Sequence, residues 1–273
     1  MAASVGTTQL ELYDAPRQIS KDSRDTTSTF SDNLSLPIHR WFRYSAGFSA
    51  SWACQVIRTQ KEAGRNRVLD PFVGSGTTIL EAEKSGCESI GIEAHPFVAR
   101  VARAKLLWRS DVHAFERFAH RTLQYATTNP AACSNPPMLL KKCFPEATLA
   151  RLYSLKEAWT SMHDSSHASE LTWLAMMSIL RECSPVGTAQ WQYVLPNKKK
   201  ARPLDPFKAF AAKVKLFIGD MIHRQAVEPG PIPLVAADDA RLCKSVPDGW
   251  ATLIITSPPY ANNYDYADAT RLR

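Results

Sequence analysis

Two short stretches of this sequence hold residue types that could do chemistry together. The first is Asp70-Pro71-Phe72-Val73-Gly74-Ser75-Gly76-Thr77-Thr78. Its glycines allow a backbone to approach a ligand closely, and a helix start just after them offers free N–H groups. The second is Thr256-Ser257-Pro258-Pro259-Tyr260. Two prolines fix φ twice and remove two donors, which leaves their carbonyls as rigidly aimed acceptors. With the Ser257 hydroxyl and the Tyr260 ring beside them, the set suits an exocyclic amino group on a planar nucleobase.

The glycine turn discriminates among nucleotide ligands. A phosphate-binding P-loop needs Lys after its last glycine, and Thr77 stands there. A dinucleotide turn needs a third glycine where this chain has Ile79. An acid at the strand end, Asp70, suits a cationic ligand better than a pyrophosphate. S-adenosylmethionine is such a ligand, with an ammonium, a sulfonium and a ribose diol. Glu93 follows Asp70 by 23 residues, at the end of the next expected strand. A carboxylate placed there accepts both ribose hydroxyls in dinucleotide folds.

The elements that must position these residues follow from the same pattern. Arg67–Asp70 reads as a short strand stopped by Pro71, Thr77 to about Ser85 as a helix ended by Gly86, and Ser89–Glu93 as a second strand. Pro96 opens another helix at its first turn. Strand, glycine turn, helix, strand, helix implies parallel strands joined by right-handed crossovers. Ahead of them, Gly47–Ala63 suits a helix that Gly64 ends. Helical spacing then dominates over Val101–Tyr125, Glu146–Met162, Ala168–Glu182 and Pro206–Ile222. Alternation of the β type returns at Ile232–Ala236 and Ala251–Ile255, the latter expected as a buried strand that feeds the proline tetrapeptide. The expected organisation is an unstructured tail over 1–34, a cofactor-binding half of an α/β core over 35–99, a helical insertion over 100–227 and a catalytic strand segment over 228–273.

Composition narrows the class. The chain has 273 residues, 45% hydrophobic and 22% charged, with ample apolar material for a core. No apolar run approaches the ~18–20 residues of a membrane span, and the first residues lack a basic-then-apolar leader. The six cysteines form no CxxC pair, which argues against a zinc site or disulfide framework and fits a reducing cytoplasm. Of the net charge of +7, six units fall between Arg181 and Arg224, where nine basic residues meet only Glu182, Asp205 and Asp220. That surplus fits either a polyanionic partner or a solvated face. Lys198, Lys199, Lys200 and Arg202 form the densest group and are the candidate phosphate contacts.

Together, DPFVGSGTT and TSPPY resemble the DNA amino-methyltransferases, which transfer a methyl from S-adenosylmethionine to N4 of cytosine or N6 of adenine. The resemblance covers about residues 36–99 and 230–272. It implies an incomplete Rossmann-like class I methyltransferase sheet with a large helical insertion, acting on DNA within restriction–modification. It assigns Asp70, Phe72, Gly74, Ser75, Gly76 and Thr77 to the methionine side of the cofactor, Glu93 to the ribose, and Asp239, with Asp238 as alternative, to the adenine amino group. Ser257, Pro258, Pro259 and Tyr260 become the catalytic tetrapeptide. His39–Ser49 corresponds to the upstream cofactor element, with Phe48 and Ser49 the loosest matches. Ser-Pro-Pro-Tyr favours cytosine N4, with adenine N6 the nearest rival. Carbon-5 methylation is disfavoured, since no cysteine here follows a proline.

The family sheet continues beyond its catalytic strand, and thirteen residues after Tyr260 supply at most about one strand and a turn. The expectation is a truncated chain or half of a split enzyme, inactive without a second polypeptide that brings the remaining strands. A non-catalytic DNA- or cofactor-binding subunit is the alternative. Asn135-Pro136-Pro137-Met138 and Asp205-Pro206-Phe207 mimic the two motifs but read as a loop and as a helix cap.

Overall fold

A computed structural model describes residues 30–44, 47–186 and 202–258. Pro259, Tyr260 and Lys198–Lys200 lie outside the described residues.

The strands are β1 (Arg67–Asp70), β2 (Glu88–Ile92), β3 (Leu234–Ala236) and β4 (Leu253–Ile254). They form one parallel sheet in the order β3-β2-β1-β4. The chain leaves β1 toward β2 and β3 on one side, and β4 returns on the other. The topological switch therefore falls between β1 and β4, and ligands of open α/β sheets bind outside the carboxyl ends of strands at that point. The register brings Leu69 beside Ile254, and Ile255 N–H donates to the Leu69 carbonyl at 3.1 Å. The glycine turn and the Ser257 segment thus leave neighbouring strands at the same edge.

Three helices serve this sheet: α1 (Ala50–Glu62), α2 (Thr77–Lys84) and α3 (Pro96–Leu106). Ile57 of α1 and Ala82 of α2 pack with Val68 and Ile255 on one side. On the opposite side Leu69, Ile90 and Ile92 are covered by Cys243, Val246 and Trp250 from the loop between β3 and β4. The helices α4 (Val112–Thr128), α5 (Met138–Cys143), α6 (Glu146–Met162), α7 (His167–Cys183) and α8 (Pro206–Gln225) occupy the chain between α3 and β3. Their apolar faces close a second, larger core that includes Trp108, Phe115, Leu171, Phe210 and Phe217. Trp41, from the segment ahead of α1, enters it and stacks on Phe217 with ring centroids 4.2 Å apart.

Several expectations need correction. Residues 30–34, placed in the unstructured tail, form a short 3-10 turn. Asn33 anchors it by donating to the Phe48 carbonyl and accepting from Ala50 N–H. The helix expected over Val101–Tyr125 is two helices. Asp111 caps the second by accepting from His113 and Ala114 N–H, and a 3-10 turn at Leu107–Arg109 separates them. The strand expected as buried over Ala251–Ile255 is regular only at Leu253–Ile254, and Ile254 is 61% exposed. Its outward face carries no described neighbour strand. Asp205 caps α8 with Pro206 at its first position, as its sequence foretells.

Candidate active site

The β1 turn is built by mutual hydrogen bonding. Asp70 is buried at the strand end, where its carboxylate accepts from Phe72 N–H at 3.1 Å and from the Thr78 hydroxyl at 2.5 Å. Burial pushes its carboxyl up to about 6, against the opposing pull of the Thr78 hydrogen bond. The Thr256 hydroxyl approaches Asp70 from β4 and also lowers its pKa, although the pair does not reach ordinary hydrogen-bond geometry. Gly74 has φ +53°, and a Cβ there would stand 3.0 Å from the Tyr44 ring. Gly76, at φ +94°, is the N-cap of α2. A glycine is needed again at Gly91 in β2, where a Cβ would meet Val73 at 2.5 Å.

Glu93 joins the turn to the next strand. Its N–H donates to the Ala236 carbonyl and so extends the β2–β3 pairing by one step. Its carboxylate accepts from Gly74 N–H at 3.1 Å and from His95 N–H at 2.9 Å. On β3's exit, Asp238 accepts from the Ser245 N–H and hydroxyl, both at 2.8 Å, which closes the loop. Asp239 instead pairs with Arg241, whose guanidinium holds its carboxyl well below the usual range.

These ends surround a cavity of about 560 Å³. Its wall includes Tyr44, Phe72, Gly74, Glu93, His95, Asp239, Arg241 and Ser257, with Ile92 and Val98 as its apolar floor. Of the sequence-selected residues, Phe72, Gly74, Glu93, Asp239 and Ser257 therefore meet at one cavity. Asp70, Ser75, Gly76 and Thr77 shape its turn from beneath without lining it. Asp239 reaches the wall and Asp238 does not. Pro258 is exposed beside Ser257. Phe48 and Ser49 are elsewhere: Phe48 packs edge-on against Trp52, and Ser49 caps α1. Tyr44, His95 and Arg241 are wall residues that the sequence reading passed over. Tyr44 fell inside the upstream element it had marked, and Arg241 stands two residues after Asp239, but neither was given a role.

The residues present fit S-adenosylmethionine. The cavity lies within the roughly 300–1,000 Å³ of small-molecule sites. Two carboxylates face it for a diol and an amino group, and aromatic rings stand nearby for a planar base. The Ser75 hydroxyl is buried in the turn with no described partner, which leaves a donor for a ligand group or water.

The basic surplus looks different once folded. Asp220 is buried against Arg40, Lys213 pairs with Glu182, and Arg151 takes up Asp205. Arg202, Lys208 and Lys215 remain on the exposed surface.

Fold and cavity together define an α/β protein with an incomplete Rossmann-like parallel sheet, consistent with a methyltransferase fold, and a ligand-sized cavity at its strand ends. Comparison with known proteins agrees. The DNA methylase family, of the N6/N4 type, matches residues 17–104. The chain is 25% identical over 265 residues to the type II methyltransferase M.BsoBI of Geobacillus stearothermophilus, across 87% of this chain and 52% of that protein. It is 24% identical over 266 residues to M.AvaI of Nostoc sp., across 87% and 53%. Over 94 residues it is 27% identical to M2.DpnII of Streptococcus pneumoniae, across 34% of this chain and 35% of that protein. No solved structure matches significantly. These comparisons make the chain similar to the DNA amino-methyltransferases, and it spans about half the length of the first two of these relatives. No described helix is long and apolar enough to cross a membrane.

Proposed function

We propose that this chain carries the cofactor site and the catalytic tetrapeptide of an S-adenosylmethionine-dependent DNA methyltransferase that modifies the exocyclic N4 of a flipped cytosine. The observation that carries the reading is the meeting of Gly74, Glu93, Asp239 and Ser257 at one cavity beside the β1–β4 switch point.

The roles follow from position and chemistry. Glu93 accepts the ribose hydroxyls, and Asp239, released from Arg241, accepts the adenine amino group. Phe72, Gly74, Ser75, Gly76 and Thr77 form the turn around the methionine end, with Asp70 holding that turn from below. When bound, S-adenosylmethionine supplies an electrophilic methyl group on its sulfonium. The Ser257 hydroxyl and Pro258 carbonyl accept hydrogen bonds from the target amino group and orient its nitrogen lone pair toward the cavity. Pro259 stiffens the segment. Tyr260 stacks on the extruded base and returns roughly 1–3 kcal/mol of the few that extrusion costs. Positioning rather than a covalent nucleophile supplies the rate. Lys198–Lys200 and Arg202 neutralise DNA phosphates without reading sequence. The exposed flank of β4 fits a further polypeptide segment that extends the sheet.

Adenine N6 is the competing target, because the tetrapeptide geometry suits either amino group. Nucleoside analysis of DNA treated with the purified chain and methyl-labelled S-adenosylmethionine separates the readings. Label in N4-methylcytosine is expected. Label in N6-methyladenine moves the target, and no label with or without candidate partner chains leaves the non-catalytic subunit.

A further inference from the structure

The segment that leads to Tyr44 is held from four directions by buried polar side chains. Asp220 of α8 accepts from Ile38 N–H at 3.1 Å, from Arg40 Nε at 3.0 Å and from Trp41 Nε1 at 2.9 Å, and it pairs again with the Arg40 guanidinium. Ser178 of α7 donates to the Trp41 carbonyl, and Lys105 of α3 donates to the His39 carbonyl. The His39 ring bonds Glu81 of α2 at 3.0 Å. All four of these groups are buried. Ile38 itself sits at φ +67°, a left-handed conformation that a β-branched residue adopts only under constraint. The Asp220 carboxylate that accepts its N–H supplies part of that constraint.

A buried carboxylate is costly unless it is paired and hydrogen-bonded, and Asp220 meets that condition almost wholly through residues 38–41. Two peptide steps past Phe42, the chain delivers Tyr44 to the cavity wall, over the face of Gly74. We propose that Asp220 is a positioning residue for the cofactor site, fixing Tyr44 as the wall opposite the glycine turn through its hold on residues 38–41. The helical part of the molecule thereby sets the shape of a pocket that otherwise belongs to the sheet. This rests on the cofactor reading above. It adds that a residue in the last helix before β3, far from the motifs in sequence, governs cofactor affinity.

The test is calorimetric titration with S-adenosylmethionine of the wild-type chain, Asp220→Asn, Tyr44→Ala and the double variant, with thermal melts alongside. Asp220→Asn removes the charge paired with Arg40 and leaves one acceptor oxygen and an NH2 where two carboxylate oxygens meet the N–H groups of residues 38–41. It should weaken cofactor binding by about tenfold, and the double variant should bind no more weakly than Tyr44→Ala alone, because one effect acts through the other. A merely structural role would lower the melting temperature and add its binding loss to that of Tyr44→Ala. Should Asp220→Asn fail to fold, Trp41→Phe removes one of the hydrogen bonds while keeping the stack on Phe217, and a two- to fourfold loss is expected. Folded variants that bind as the wild type does overturn the positioning role alone. A wild-type chain that binds no cofactor overturns the cofactor reading, and this inference with it.

Discussion

The carboxyl ends of β1 and β4 lie side by side, yet they are secured in different ways. The β1 turn is over-determined: Asp70 ties Phe72 and Thr78, Glu93 ties Gly74, and Val73 N–H reaches the Ile92 carbonyl. The β4 end rests on its pairing with β1, through Thr252 N–H to the Arg67 carbonyl and Ile255 N–H to Leu69, and then emerges at half-buried Ser257 and exposed Pro258. The first arrangement suits a ligand whose binding must not reorganise the protein. The second leaves its flank open, as a bulky substrate would require. Cofactor affinity should therefore reside in the β1 side and turnover in the β4 side, so that variants at the two ends fail in opposite ways.

The largest expected effect is at the β4 end. Tyr260→Ala should reduce methyl transfer to background while cofactor affinity stays within about twofold of the wild type, a stacking loss worth roughly 1–3 kcal/mol per base compounded by lost alignment. Filter-binding and transfer assays on the same preparation check it. Turnover that survives the change removes the stacking role, and a parallel loss of cofactor affinity would erase the contrast between the two ends.

Gly74→Ala probes the other side. The new methyl would stand 3.0 Å from the Tyr44 ring at φ +53°, a conformation that costs an L-residue roughly 1–2 kcal/mol. Cofactor binding should weaken at least about tenfold, with a smaller fall in melting temperature. Gly64→Ala is the control. It shares a positive φ, +82°, but meets nothing within 4 Å, so it should show the stability cost with cofactor affinity intact.

The two ends also differ in how far the sequence disclosed them. Glycines and prolines fix local geometry wherever they stand, so both turns and the strands before them could be read directly. The β3-β2-β1-β4 order could not, because nothing local to Leu253–Ile254 says which edge it joins. Tyr44 stayed hidden for a similar reason: its role comes from the clamp on residues 38–41, whose partners lie on four different helices. Asp220 was counted only as one of three acids in a basic stretch, since a helix sequence does not reveal that a carboxylate faces inward to an arginine 180 positions away. The helices read well where a cap marks them, as at Asp205. The break at Asp111 was missed because helix-forming residues flank it on both sides.

The smallest effect expected concerns charge beneath the β1 turn, and it asks whether tight hydrogen bonding there fully compensates burial. With its carboxyl raised to about 6, Asp70 binds its proton more tightly in the folded chain than in the unfolded one, where such a group titrates near 3.9. Its contribution therefore favours folding below about pH 4 and diminishes as pH rises through 6, leaving a cost on the order of 3 kcal/mol at neutrality. Asp70→Asn keeps an acceptor for Phe72 N–H and removes the titration. Urea unfolding of both proteins at pH 5 and pH 7 isolates the group: relative to the wild type, the variant should gain on the order of 1 kcal/mol between the two. A difference that does not change with pH would mean that the carboxylate is held as comfortably as a solvated one, so that the β1 turn carries no electrostatic burden the β4 end lacks.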